Sequence, residues 1–178
     1  MGRWMRDAAL AILLGAGVAV LLTAMVMPVC VKGISMEPTI SSGSWVLVDK
    51  VAYSSSMPCR GDLVIIENVV FTQEGEGARL LKRIVGLPGD RVQISGERLF
   101  VNGEDKTEEL CAQEHIFGDM ETVIVEEGCI FVMGDNADQS MDSRSEAIGQ
   151  LPIENIWGKA FFQVYPWKRF GPLGRSPA

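Results

Sequence analysis

Three short segments of the sequence contain residues whose types suit peptide-bond chemistry. The first is GISMEPTI (33–40), where Ser35 lies between the flexible Gly33 and the proline-stiffened step from Glu37 to Pro38. A serine hydroxyl is a poor nucleophile on its own, so a neighbouring base must remove its proton. A second segment of the chain has to supply that base.

Lys82 is a candidate for that base. It lies in LLKRIVGLPGD (80–90), among apolar neighbours whose packing would favour the neutral amine. Lowering the pKa of a lysine by two units from its usual value of about 10.4 requires ~2.7 kcal/mol, which burial can supply. Lys82 and Arg83 face opposite sides of a strand, so one can turn inward while the other stays in water. A solvated strand edge is the alternative that the residues alone leave open.

The third segment is GDNADQSMDSR (134–144), which is dense in turn-forming residues. Asp142 and Arg144 are two positions apart and can form a charge-assisted pair that fixes this loop. Ser140 can orient the lysine amine. A plain surface turn is the alternative. His115, the sole histidine, lies in an acidic segment, and we interpret it as a surface residue.

An uncharged run over residues 8–27 predicts a membrane anchor ahead of these segments. A helix of that length spans about 30 Å, which matches the apolar core of a bilayer. A cleaved signal peptide, whose apolar region is about 7–15 residues, and a buried core helix are the alternatives. Arg3 and Arg6 precede the run and Lys32 follows it, which favours a cytoplasmic N-terminus.

The chain beyond the anchor predicts an all-β, largely antiparallel body. Apolar runs at 44–50, 61–68, 79–87 and 129–133 indicate strands, and alternation over 90–103 indicates a hairpin. We divide the chain into a cytoplasmic tip and anchor (1–30), an extracytoplasmic β-domain (31–170) and a loose tail (171–178). Within the β-domain, 104–127 is an acidic, insert-like surface segment.

Composition excludes several classes of partner and site. The net charge is −7, from 16 basic and 23 acidic residues, so the chain repels nucleic-acid backbones. One histidine and four cysteines without a C-x-x-C pair argue against structural zinc. Outside the cytoplasm a disulfide can form, and Cys111 with Cys129 is the candidate pair. Free buried thiols remain the alternative.

The order of these pieces closely resembles type I signal peptidases, membrane-bound Ser/Lys proteases that cleave signal peptides from secretory proteins. The resemblance covers most of residues 8–166, through an anchor followed by GISMEPTI, KRIVGLPGD and GDNADQSMDSR. It implies a coiled, partly barrel-like sheet, catalysis without metal or cofactor, and exported preproteins as substrates. It also implies an N-terminus in the cytoplasm, a single pass through the plasma or inner membrane, and contact with the lipid bilayer near the export translocon.

The resemblance also implies a role for each motif residue. Ser35 is then the nucleophile, Lys82 the general base and Ser140 the hydroxyl that holds the amine, with the pair Asp142 and Arg144 supporting the loop. A shallow pocket for a small residue, usually alanine, is expected to be walled by Met36, Ile40 and Leu81.

Two departures from the family pattern bear on the site. Gly33 replaces a serine whose hydroxyl helps to hold the oxyanion in some members, so backbone N–H groups, including that of Ser35, must supply most of the stabilisation. Ala137 and Gln139 replace residues that are often Arg and Asn, which predicts altered loop packing.

Three other functions are compatible with parts of the sequence. A specialised Ser/Lys maturation peptidase, of the pilin or conjugation type, shares the chemistry. A self-cleaving repressor also shares it but requires a DNA-binding domain, and none precedes Ser35. A membrane-tethered β-domain that binds an export partner without catalysis would give the motif residues purely structural roles.

Overall fold

The computed structural model of the chain describes residues 2–71, 75–113 and 115–174, most of which form antiparallel β-sheet. The strands are β1 (Val26–Cys30), β2 (Trp45–Asp49), β3 (Leu63–Phe71), β4 (Gly75–Gly86), β5 (Arg91–Ser95), β6 (Arg98–Val101), β7 (Glu104–Asp105), β8 (Met120–Ile124), β9 (Cys129–Met133), β10 (Leu151–Pro152), β11 (Ile156–Tyr165) and β12 (Gly171–Pro172). The α-helices are α1 (Gly2–Met25) and α2 (Thr107–Leu110), and short 3-10 helices cover Ala137–Gln139, Ile153–Asn155 and Trp167–Arg169. The all-β, largely antiparallel prediction is confirmed.

The larger sheet has the order β1-β2-β11-β3-β4-β9-β10, and β12 pairs with β11. Register shifts interrupt the pairing of β11 with both β2 and β3, and of β4 with both β3 and β9. Such bulges bend strands and increase their twist, so the sheet curls. The curl matters because it lets segments from distant parts of the chain meet around β4.

Both faces of the larger sheet are covered by apolar packing. On β3, Leu63 and Ile65 join one buried cluster, while Val64 and Ile66 join another on the opposite face. This is the period-two alternation expected of a strand. Because both faces are buried, β3 and its neighbours form a rigid base for the residues on β4.

The smaller sheet has the order β7-β6-β5-β8 and begins with the predicted hairpin. Ser95 pairs with Arg98, and the two turn residues Gly96 and Glu97 have φ angles of 56° and 64°. Two successive positive φ values match the primed turns that suit tight hairpins. The acidic segment 104–127 completes this sheet with β7 and β8, so it is an integral layer of the fold.

Helix α1 covers most of the apolar run at the N-terminus. Ile12, Leu13 and Leu14 are each 69–72% exposed. Within the described part of the chain, no helix combines the length and the apolarity that a membrane crossing requires. The helix ends at Met25, so residues 26–30, which the sequence assigned to the anchor, instead form β1 of the larger sheet.

The predicted loose tail is wrong for residues 171–174. β12 pairs with β11, and the N–H of Leu173 donates to the carbonyl of Phe161 at 2.9 Å. Leu173 also packs against the cluster that contains Val46 and Ile65. An apolar side chain thus anchors this segment, and residues 175–178 lie outside the described residues.

Candidate active site

Lys82 lies on β4 with its side chain almost completely buried. Only 2% of the residue is exposed, and Nζ donates a hydrogen bond to Ser140 Oγ at 2.8 Å. Burial lowers the pKa of the amine to about 8; Asp142 and Asp135 oppose this shift, and Arg144 adds to it. The amine is therefore neutral in roughly one molecule in ten at pH 7, against fewer than about one in a thousand for a free lysine.

Arg83 is a correction to the sequence interpretation, because it is buried alongside Lys82 and not solvated. Its guanidinium binds the Asp135 carboxylate through two bonds, at 2.8 Å and 2.7 Å, and donates to the Gly61 carbonyl at 2.9 Å. A buried arginine needs such a bidentate partner. The sequence analysis missed Asp135, although an arginine within an apolar strand signals a buried carboxylate elsewhere.

Replacing Asp135 by alanine is expected to destabilise the protein by ~3–5 kcal/mol, because it leaves the buried Arg83 charge unpaired. The matched control is Glu67→Ala, which removes the partner of Arg79 from a largely exposed ion pair and is expected to cost only ~0.2–1 kcal/mol. Urea denaturation of both variants measures the difference. Equal losses in the two variants would contradict the assignment of a buried, mutually dependent pair.

The loop 134–144 follows β9 and is fixed by a bidentate ion pair. Arg144 binds the buried Asp142 carboxylate through Nε at 2.8 Å and Nη2 at 2.9 Å, and Nη2 also donates to the Ala137 carbonyl at 2.6 Å. Asp142 Oδ2, which accepts the bond from Nη2, also accepts the N–H of Gly134 at 2.9 Å. These contacts close the loop on itself and hold Ser140 beside Lys82.

The position of Ala137 shows how the loop packs without the arginine often found there. Ala137 is buried in the cluster formed with the smaller sheet. Its N–H donates to Gln113 Oε1 at 2.9 Å, so a residue of the acidic segment supports the loop. Sequence reasoning did not identify Gln113, because nothing in its local pattern distinguishes it from a surface residue.

Ser35 lies in the turn that follows β1 and is partly exposed. Its carbonyl accepts the N–H of Asn136 at 3.0 Å, so this turn contacts the loop that holds Ser140. A Cβ atom placed on Gly134 would lie 2.2 Å from Ser140 Oγ and 2.4 Å from the Ser35 carbonyl oxygen. The backbone of Ser35 and the side chain of Ser140, which accepts the hydrogen bond from Lys82, therefore both approach Gly134. Among the described hydrogen bonds, none joins Ser35 Oγ to Lys82 Nζ.

The expected pocket residues separate into two groups. Leu81 lines a cavity of about 210 Å³, together with Val29, Cys30, Val31, Lys32, Ile65, Arg79 and Trp157. Met36 and Ile40 do not line this cavity; they are 1% and 0% exposed and belong to the cluster beneath it.

Gly33 has φ of 95°, and its N–H donates to Ser42 Oγ at 3.3 Å.

The cysteines are free thiols, so the candidate disulfide between Cys111 and Cys129 is not formed in this structure. Both pack against the same apolar cluster, where a thiol behaves as a small hydrophobic group. Burial raises the pKa of Cys111 to about 12, so the reactive thiolate form is scarce at neutral pH.

The remaining titratable candidates stand apart from the site. His115 is exposed and contacts Glu97 at 3.0 Å. Over residues 2–71, 75–113 and 115–174, no three His, Cys, Asp or Glu side chains group in a way that could hold a metal ion.

Comparison with known proteins identifies the family. The model of the family described as "Signal peptidase, peptidase S26" matches residues 1–166. The chain is 33% identical over 167 residues to "Signal peptidase I" of Bacillus licheniformis, an alignment that covers 88% of this chain and 87% of that protein. It is 34% identical over 143 residues to "Probable signal peptidase I-1" of Synechocystis, covering 79% and 71% of the two chains.

A solved signal peptidase I from Enterococcus faecalis aligns with a TM-score of 0.46 and 26% identity, over 58% of this chain and 97% of that one. The family model spans all three motif segments, and the Bacillus relative is matched over most of its length. The chain belongs to the signal peptidase family, peptidase S26, and is a serine endopeptidase of that family.

Proposed function

We propose that this enzyme removes N-terminal signal peptides from exported preproteins, cleaving after a small residue in an Ala-x-Ala-like sequence. The observation that carries the proposal is the buried Lys82 amine, whose pKa is lowered to about 8 by burial, next to the loop that contacts Ser35. A neutral amine is a competent base for a serine hydroxyl, and this pairing needs neither a histidine nor a metal.

The reaction has two stages in which Lys82 carries the proton. Ser35 Oγ forms a bond to the scissile carbonyl carbon as its proton moves to Lys82 Nζ, and the carbonyl electron pair moves onto oxygen. That pair then re-forms the carbonyl, the C–N bond breaks, and Lys82 returns the proton to the leaving amine. Water, deprotonated by Lys82, next attacks the acyl-enzyme and releases Ser35 with its proton restored.

The supporting residues divide between the base and the oxyanion. Ser140 holds the amine through its hydroxyl, and the ion pair between Asp142 and Arg144 holds the loop that carries Ser140. Backbone N–H groups, including that of Ser35, stabilise the oxyanion, because Gly33 brings no hydroxyl. In this proposal Leu81 lines the subsite for a substrate side chain, with Met36 and Ile40 supporting it from beneath.

A preprotein cleavage assay tests this function. A purified preprotein with an Ala-x-Ala site is incubated with the detergent-solubilised enzyme, its Ser35→Ala variant and its Lys82→Ala variant. We expect cleavage at the signal-peptide boundary by the natural enzyme alone. Equal cleavage by all three proteins would overturn the mechanism, while cleavage of a pilin-type precursor but not of secretory preproteins would indicate a specialised maturation peptidase.

The pH dependence of cleavage follows from the lowered pKa of Lys82. The neutral amine is the active form, so kcat/KM should rise as the pH rises through about 8 and reach a plateau above it. Well below that midpoint, the rate should fall about tenfold for each pH unit, since one proton is involved. Initial rates on a fluorogenic peptide measure the profile. A midpoint near the free-lysine value of about 10.4 would contradict a buried base.

The N-terminal helix is proposed to anchor the enzyme in the plasma or inner membrane. Residues 8–27 carry no charge, and the exposed apolar side chains of Ile12, Leu13 and Leu14 would be unfavourable in water. A relative from Arabidopsis thaliana is named "Mitochondrial ATP-independent inner membrane protease subunit 1b". We place the N-terminus in the cytoplasm and the β-domain outside, beside the translocon from which preproteins emerge.

Aromatic residues on the β-domain offer a further contact with lipid. Trp167 is 75% exposed and Phe170 is 56% exposed, and their rings lie 6.0 Å apart, next to Lys168 and Arg169. Aromatic rings and basic side chains favour the membrane interface. Both an anchored enzyme and an anchored signal peptide would then search a surface, which raises their effective concentration.

Protease accessibility in cells checks this topology. Protease added to wall-free cells with an intact plasma membrane is expected to digest the β-domain and to spare a short fragment that contains the N-terminus. Protection of the β-domain together with loss of the N-terminal residues would reverse the orientation, and release of intact enzyme by alkaline carbonate would rule out the anchor.

A further inference from the structure

Asn136 joins the loop 134–144 to the turn that carries Ser35. Its backbone N–H donates to the Ser35 carbonyl at 3.0 Å, and its side-chain Nδ2 donates to the Ile34 carbonyl at 3.1 Å. Among the hydrogen bonds of the described residues, those between turn 33–37 and this loop both come from Asn136. The residue therefore holds two successive peptide groups at the nucleophile.

The bond to Ile34 determines where the Ser35 N–H points. The Ile34 carbonyl and the Ser35 N–H belong to one planar trans peptide group, so they point in opposite directions. Fixing the oxygen toward Asn136 therefore fixes the N–H on the opposite side. The Glu37 N–H donates to the same Ile34 oxygen at 3.1 Å, which restricts rotation of this peptide further. Hydrogen bonds to a carbonyl also polarise its peptide group and strengthen the N–H as a donor.

The peptide group between Ile34 and Ser35 is especially important for oxyanion stabilisation in this chain. Donors that stabilise an oxyanion are effective only when they are held in place before the reaction. Gly33 has no hydroxyl to contribute, and its own N–H already donates to Ser42 Oγ at 3.3 Å. The Ser35 N–H must therefore carry more of the stabilisation, and its orientation depends on the bonds to the Ile34 oxygen.

We propose that Asn136 is a positioning residue that orients the Ser35 N–H toward the oxyanion, through the hydrogen bond from its carboxamide to the Ile34 carbonyl. This inference rests on the proposed function, because it assigns a role within the same acyl transfer. It predicts that losing the carboxamide donor weakens transition-state stabilisation while leaving substrate binding and the Lys82 base intact.

Two variants separate this role from simple support of the fold. Asn136→Asp keeps the size of the side chain but replaces the donor with an acceptor, and Asn136→Ala removes it; both keep the backbone N–H. We expect kcat to fall ~10²-fold in Asn136→Asp, as for other small misplacements near a reacting centre, with KM changed less than about twofold. The midpoint of the pH–rate profile should stay near that of the natural enzyme. Gln139→Ala, an exposed carboxamide on the same loop, is the matched control and should retain full activity.

A peptide aldehyde gives the direct readout, because its adduct with Ser35 places an oxygen where the oxyanion forms. We expect both Asn136 variants to bind the aldehyde ~10²-fold more weakly, with little change in KM for the peptide substrate. Unchanged kcat and aldehyde affinity would overturn the proposal. A raised KM together with a lowered melting temperature would also overturn it, because that combination indicates support of the fold. If the natural enzyme fails to cleave any preprotein, the proposed function fails instead.

Discussion

Replacing Lys82 by methionine is expected to lower kcat for preprotein cleavage by ~10²–10⁴-fold, the range over which general-base catalysis acts. Methionine has a similar length and suits the buried site, which is only 2% exposed, but it cannot accept the proton of Ser35. The substrate should still bind, so KM is expected to change little. Single-turnover cleavage of a purified preprotein measures the effect.

The stability of the same variant separates lost catalysis from lost folding. Because burial lowers the pKa of Lys82 to about 8, the folded state opposes protonation of the amine, and stability falls as the pH drops from the unfolded-state pKa toward 8. Methionine removes this cost, so the melting temperature at neutral pH should be equal or higher. Lys168→Met changes an exposed lysine and serves as the matched control. Activity of Lys82→Met within tenfold of the natural enzyme would contradict the role of the base.

Replacing Gly134 by alanine is expected to lower kcat by ~10²-fold or more, because small displacements at a reacting centre reduce the rate by that much. The new Cβ would lie 2.2 Å from Ser140 Oγ, 2.4 Å from the Ser35 carbonyl oxygen and 2.6 Å from Ser140 Cβ, so rotation of the Ser140 hydroxyl would not relieve the clash. Either the loop 134–144 or the turn that carries Ser35 must shift. Overpacking of this kind also costs ~1–3 kcal/mol of stability.

Gly171→Ala is the matched control for that substitution. A Cβ at Gly171 meets no atom within 4 Å, and its backbone has no positive φ that would strain an alanine. This variant should keep its rate and its unfolding free energy. Comparable activity of Gly134→Ala and Gly171→Ala would show that the close approach of loop and turn is not required for cleavage.

The strands could be predicted from the sequence because their signals are local. Alternation in β2 and β5 and the tight turn at Gly96 and Glu97 depend on residues close together in the chain. The pairing of distant strands has no local signal. For the same reason the integration of segment 104–127 into the smaller sheet was not predicted: its acidic composition describes its exposed face, whereas Leu110 and Ile116 are buried.

Contacts within the candidate site could be predicted where a short motif places interacting residues close together in the sequence. They could not be predicted where they depend on which side chains are buried. The ion pair of Asp142 and Arg144 lies within one short loop and follows from their spacing. Strand alternation predicted that Arg83 lies in water. In the structure Arg83 is buried, because its charge is paired with Asp135, which lies 52 residues further along the chain. Likewise, the apolar character of Met36 was clear, but its position beneath the cavity depends on packing from several strands.

The loop 134–144 connects the segments that carry the proposed catalytic residues. Through Ser140 it contacts Lys82, through Asn136 it contacts the turn that carries Ser35, and through Ala137 it is tied to Gln113 of the acidic segment 104–127. Lys82 and Ser35 belong to separate segments, and this loop contacts both. Because one loop contacts both, small changes at Gly134 are expected to affect the surroundings of Lys82 and of Ser35 together.

The most direct test of the Ser35–Lys82 mechanism is a titration of the Lys82 amine itself. NMR of enzyme carrying nitrogen-15 at the lysine Nζ atoms, with Lys82→Met used to assign the signal, reports the protonation of this group as a function of pH. We predict a midpoint at about 8, coincident with the midpoint of the pH–rate profile. A Lys82 signal that stays protonated until the pH approaches the free-lysine value of about 10.4 would contradict its role as the base for Ser35.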